Sequence, residues 1–340
     1  MSRRAMLLVA LLFAAPSLPA ATADEDWQVL VALDAGPPGR PTTPEEVRGM
    51  TLGHLARQER GVRAFLAAHG SDARAFEARL RLSRALQIRA DLTADAEPRT
   101  EAARILAGLE KSATPAQRPE VDFARIAAFM RTLGKPQPAQ RDELLALARR
   151  FQREHPGDRR LAALLAQVAT LFDMQPKTKL ALLEDAERLA TDAEVKAGVA
   201  DDLRRVRLLG REVALSGPTL QGKTADLAAM RGKPVIVIFF AEFSPPSVAA
   251  LSALKRAVAE LPRAGVLGVS LDDDREKCVA LLRRLDLAWP AIFDGKGWAS
   301  PAVRALGINA LPTVWLIDGE GRLRSLDALE GTAGQVRQLR

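Results

Sequence analysis

From about Glu45 to Arg207, apolar residues recur at three- and four-residue intervals, as in LLALARRFQ, LAALLAQVATLF and LALLEDAERLA. That spacing gives each segment one apolar stripe and predicts a run of helices. Breakers separate them: HGSD at 69–72, KPQP at 135–138, HPGD at 155–158 and QPKT at 175–178. From about Leu208 the pattern changes. VIVIFF at 235–240 is a continuous apolar run, as expected of a strand buried on both faces. A helical VAALSALKRAVAEL follows, then strand-like GVLGVSLD at 265–272, helical EKCVALLRRL, the short WPAIFD and a helical stretch at 300–306. TVWLID at 313–318 and RLRSLDAL at 322–329, separated by GEG, predict a closing hairpin. The expected class is a two-domain α+β chain, with an all-α domain at 24–207 followed by an α/β domain at 208–340.

The helical half contains a degenerate duplication. FLAAHGSDARAFEARLRLSRAL at 65–86 recurs 86 residues later as FQREHPGDRRLAALLAQVATLF at 151–172. His69, Asp72 and Arg74 map onto His155, Asp158 and Arg160. One motif serves both copies: a helix end, a tight turn, an Asp suited to capping, then an apolar-faced helix. Such units resemble tetratricopeptide-like hairpins, and a plain antiparallel bundle fits the same pattern. The histidines at the two turns read as helix-terminal residues favoured by the helix dipole, and no metal site is expected from them or from His54.

The first 23 residues change the picture of where the chain works. Arg3 and Arg4 precede an apolar run from Ala5 to Ala15, and Ala21-Thr22-Ala23 ends it. This reads as a secretory signal cleaved after Ala23, and the expected location is the periplasm or the outside of the cell. Setting aside Arg3 and Arg4 leaves about +5 of the formal +7, spread among mixed charges. Neither a dense basic block nor aromatic–basic interleaving is present, so nucleic acid is not an expected partner. No later segment is long and apolar enough to read as a transmembrane helix. The chain has one cysteine, Cys278, which can neither close an internal disulfide nor complete a two-thiol cycle alone. With Leu281, Leu282 and Leu285 it falls on one helical face, as a small buried hydrophobe would.

Residues from about 209 to 340 resemble the thioredoxin-fold, TlpA/ResA-like family of exported thiol–disulfide oxidoreductases, a redoxin group related to peroxiredoxins. Four ordered stretches carry the resemblance: GPTLQGKTADLAAMRGKPVIVIFF, AEFSPPS, WPAIFD and GINALPTVWLIDGEG. It implies that Ser244 and Ser247 stand where the family has the two cysteines of C-P-P-C. A serine hydroxyl forms neither a thiolate nor an S–S bond at neutral pH, so no catalytic residue is expected at these positions. The buried acid of thioredoxins proper corresponds here to Ile238. Leu311-Pro312-Thr313 matches the family's cis-proline loop, and Phe243 takes the place of a Trp on the rim. Pro245 at the first turn and Ser244 before it suit a helix start. No His follows His155, which leaves Ser244 without a histidine base nearby in sequence.

Three readings follow. The first is a non-catalytic binding or scaffold protein of the cell envelope, without cofactor, whose groove at Phe243, Pro245, Leu311, Pro312 and Thr313 meets an unidentified protein or peptide. The second is a thiol–disulfide oxidoreductase or peroxiredoxin-like antioxidant protein by family descent, which would need Cys278 exposed near Ser244. The third is a structural subunit whose basic surface associates with envelope polymers. Asp272-Asp273-Asp274 is expected to end a strand and cap the next helix, since it lacks the spaced ligands of a calcium loop.

Overall fold

A computed structural model describes residues 22–39, 41–134 and 136–339. The signal-like segment at 1–23 lies outside these residues except for Thr22 and Ala23. The chain divides into two compact units, the first ending at Gly134 and the second beginning at Lys135. The division falls inside the helical stretch, so its last four helices group with the sheet.

The first unit consists of α1 (Ala23–Ala32), α2 (Pro44–Ala68), α3 (Ala75–Thr93), α4 (Ala96–Ser112) and α5 (Arg118–Thr132). Thr43 starts α2 with a reciprocal cap: its side chain accepts the Glu46 N–H, and the Glu46 carboxylate accepts the Thr43 N–H. Trp27, Phe65, Leu82 and Leu86 share one apolar cluster, so α1 to α3 are joined through their stripes. No helix among the described residues is long and apolar enough to cross a membrane.

The second unit opens with α6 (Pro138–Glu154), α7 (Leu161–Ala169), α8 (Pro176–Leu189) and α9 (Ala193–Arg207). The two related segments at 65–86 and 151–172 adopt the same turn. His69 and His155 end α2 and α6, donating their backbone N–H to Phe65 O and Phe151 O at 2.7 and 2.8 Å. Each Phe ring lies against its His ring, at 5.2 and 4.9 Å between centroids. The aspartates do not cap the next helix directly, because Arg74 and Arg160 occupy the cap positions. Instead Asp72 and Asp158 each accept the backbone N–H and the guanidinium of that arginine. The Arg160 guanidinium beside Asp158 holds its carboxyl below the usual range.

Beyond α9 come a hairpin of β1 (Ser216–Pro218) and β2 (Thr224–Asp226), then β3 (Val235–Phe240), α10 (Pro245–Ala259), β4 (Gly265–Ser270), α11 (Arg275–Arg284), β5 (Ala291–Ile292), α12 (Pro301–Ala305), β6 (Thr313–Ile317), β7 (Leu323–Ser325) and α13 (Thr332–Arg337). The main sheet has the order β5-β4-β3-β6-β7, with β3 parallel to β4 and antiparallel to β6. Alternate β3 residues feed two cores. Val235, Val237 and Phe239 meet Trp315, Val303 and Ile308 on one face; Ile236, Ile238 and Phe240 meet Leu251 of α10 and Leu281 of α11 on the other. The closing strand is shorter than RLRSLDAL predicts. The register shifts at Leu316/Ile317, and the pairing ends at Ser325.

Helix α9 is bonded to α12 and to the loop between α12 and β6. Arg204 donates to Arg304 O and Arg205 to Gly307 O, each at 2.7 Å, while the Asn309 amide donates to Asp202 at 3.0 Å. Gly307 has φ of +70°, and a Cβ there would stand 2.6 Å from Asp201 O. Both the backbone region and the close approach require glycine. Gly307→Ala is expected to lower stability by about 1–3 kcal/mol, read as a lower midpoint in thermal or urea denaturation; an unchanged midpoint would refute this account of the packing.

Candidate functional site

The strand register gathers the candidate residues at one end of the sheet. Phe240 pairs with Ser270 at the ends of β3 and β4, and Phe239 lies opposite Thr313 at the start of β6. The segments leaving β3 and β4 therefore emerge beside the segment entering β6. Ser244, Asp272 and Leu311-Pro312 all belong to these segments.

Ser244 is the N-cap of α10, with extended backbone at φ −105° and ψ 102°. Pro245 and Pro246 have no N–H, so Ser247 is the first donor of the helix. Its N–H donates to Ser244 Oγ at 3.4 Å, and the Val248 N–H donates to Ser244 O at 3.1 Å. The terminus is thus occupied by its own cap, and the hydroxyl takes the donor that would otherwise stabilise an anion here. Ser247 is fully buried, and its Oγ has no hydrogen-bond partner among the described residues.

Around this cap the surface is apolar. Phe243 is 60% exposed, and Pro245 and Pro246 are exposed beside it in sequence. Leu311, Pro312 and Thr313 are half-buried, Leu311 packs against the cluster containing Trp315, and the Leu311–Pro312 peptide is cis. Ile238 is fully buried among apolar side chains.

Sequence reasoning missed the role of Asp272. Asp274 caps α11 by accepting the N–H of Glu276 and Lys277 at 2.9 and 3.1 Å. Asp272 is instead buried and reaches across to the loop before Ser244, where it accepts the Glu242 N–H at 2.7 Å. The Ser270 hydroxyl donates to its other oxygen at 2.8 Å. A buried carboxyl oxygen accepting a backbone N–H pins that loop. The only sequence signal was an acid directly after a buried strand, which also fits a plain turn.

Cys278 lies inside the core, fully buried on α11 with Leu281 and Leu282. Burial pushes its thiol up to about 12, against the opposite effect of a hydrogen bond with Ser270. The histidines lie elsewhere: His69 and His155 end helices, and His54 is buried within α2.

A mixed sheet with a helix capped at the end of its central strand and a cis-proline loop beside it defines a thioredoxin-like redoxin domain. Residues 211–326 match the AhpC/TSA family model and form a domain of that family. No curated protein matches the chain. Solved structures similar to it include a thiol-disulfide oxidoreductase from Bacteroides fragilis, at 26% identity over 38% of this chain and 98% of that one, with a TM-score of 0.35. A secreted disulfide oxidoreductase of Mycobacterium tuberculosis matches at 18% identity over 37% and 96% of the two chains, with a TM-score of 0.33. The thioredoxin domain of a thiol-disulfide oxidoreductase from Bacteroides vulgatus matches at 21% identity over 34% and 86%, with a TM-score of 0.33.

The Cys278 environment has a direct consequence. Iodoacetamide at pH 8 should label the folded protein at least about a hundredfold more slowly than the urea-unfolded chain. The folded thiol keeps its proton at pH values where the unfolded thiol ionises. Its contribution to stability is therefore complete below the ordinary thiol range and is lost as pH rises through 9 toward about 12. Rapid labelling of the native protein would overturn the buried assignment.

Proposed function

We propose that this protein is an exported, non-catalytic binding or scaffold protein of the cell envelope, built on a redoxin domain that has lost its thiol chemistry. The observation that carries the reading is the Ser247 N–H donating to Ser244 Oγ at the start of α10. The hydroxyl keeps the helix start in the position where relatives need a thiolate, while disulfide exchange requires a sulfur nucleophile and a second sulfur to resolve it. Cys278, the one thiol in the chain, is held in the core. The signal-like residues 1–23 support export, and the exposed Phe243 beside the two prolines supports a surface that binds a protein or peptide. The helical segments, with their repeated turn at 65–86 and 151–172, would add further binding surface.

Insulin reduction and hydroperoxide consumption driven by a dithiol should both stay at the buffer rate; turnover by the wild-type protein would sink the reading. The double variant Ser244→Cys, Ser247→Cys should acquire measurable dithiol oxidation, because the helix start and the adjoining loop are in place.

Crosslinked capture from envelope fractions, repeated with Phe243→Ala and Leu311→Ala, tests the binding role. Loss of a specific partner in both variants is the expected result. Capture unchanged by either variant would remove the groove from the proposal.

A further inference from the structure

Helix α9, α12 with the turn before it, and the loop before β6 line an open cleft of about 510 Å³, formed by Asp201, Arg204, Trp298, Arg304, Ile308 and Asn309. A second cleft of about 360 Å³ shares Arg204 with the first and is lined further by Glu187 of α8, Ala200 and Arg207 of α9, and Leu208 and Arg211 just beyond it. The spacing of Ala200, Arg204, Arg207 and Leu208 puts them on one face of α9, and both clefts open along it.

The clefts have a definite chemistry. Ile308 is buried and forms an apolar floor, while Trp298 is 44% exposed and presents a large apolar wall. Asp201 is neutralised by Arg204, whose guanidinium also donates to Arg304 O. Arg304 and Arg211 are exposed, and neither guanidinium has an acid partner among the described residues. Each cleft thus keeps an excess of positive charge: Arg204 and Arg304 against Asp201 in the first, beside an aromatic ring and an aliphatic floor, and Arg204, Arg207 and Arg211 against Glu187 in the second. Arginine suits carboxylate recognition, and an exposed indole beside a buried aliphatic residue suits an apolar side chain.

The first cleft also lies at the candidate-site end of the sheet. Gly297, the neighbour of Trp298, packs so close to the segment after β4 that a Cβ would stand 3.2 Å from Leu271 O. Ile308 and Asn309 lead directly into Leu311-Pro312.

We infer that these clefts bind an extended acidic peptide segment, with carboxylates facing Arg304 and Arg211 and an apolar side chain against Trp298 and Ile308. The inference rests on the reading of this unit as a binding module, and it names the class of partner and the part of the surface that selects it. The excess positive charge provides the charge complementarity, and the apolar wall favours a peptide over a purely anionic polymer. In this arrangement α9, an element outside the matched family region, supplies half of the site.

The test uses the full protein and two fluorescein-labelled probes. One is an acetylated peptide of alternating Glu and Leu, and the other is its isostere with Gln for Glu. Fluorescence anisotropy should show the acidic peptide binding at least about tenfold more tightly than the Gln peptide at low salt, with the gap narrowing as salt is raised. Arg304→Gln and Arg211→Gln, both at exposed positions, should each weaken the acidic peptide severalfold while leaving the thermal midpoint unchanged. Trp298→Ala should weaken both probes. Equal affinity for the two peptides would overturn the inference, as would arginine variants that bind like wild type. Displacement by heparin together with no effect of Trp298→Ala would also overturn it, indicating a general polyanion surface. Phe243→Ala separates this inference from the broader reading: if it abolishes capture while Arg304→Gln does not alter peptide binding, the groove stands and the α9 clefts fall.

Discussion

The second unit depends on a strand that is buried on both faces. Val235–Phe240 has no exposed residue, and its two sets of alternating side chains anchor separate cores. Burial of this kind leaves the backbone no partner but neighbouring strands, and β4 and β6 take the two edges. The strand can end only where the sheet ends. At that point the chain must turn outward, and Ser244 starts α10 there.

That constraint explains how the start of α10 holds its shape. The start of α10 is held by two proline residues, a serine cap and the pin from Asp272 to the Glu242 N–H. None of these depends on sulfur. A helix start of this type stabilises a thiolate when a cysteine occupies the cap, and it is stable in its own right when a serine does. The hydrogen-bond donor that can serve an anion at a helix start serves a serine cap here.

The appended helices are part of the same economy of contacts. α9 bonds through Arg204 to α12 and through Arg205 and Asp202 to the loop that carries Leu311-Pro312, with Gly307 allowing the approach. The compact unit therefore begins before the family domain, at Lys135, and not where the sequence pattern changes from helical to alternating. These bonds tie α9 to the sheet domain, and α6 to α8 follow by packing on one another and on α9.

The hydrophobic pattern alone determined a good deal. It marked the helices, the buried central strand and the order of strands and helices after Leu208, because period and burial are written in the choice of side chains. It placed Ser244 at a helix start and Cys278 on an apolar face, since both are local properties. It left the hairpin of β1 and β2 and the terminal α13 unmarked, and it made β7 too long, because short elements carry little periodic signal and a register shift has none. The role of Asp272, the cleft at Trp298 and the attachment of α9 were decided only by tertiary structure. Each joins residues about 30 or more positions apart through hydrogen bonds or close approach, and such pairings leave no trace in local spacing.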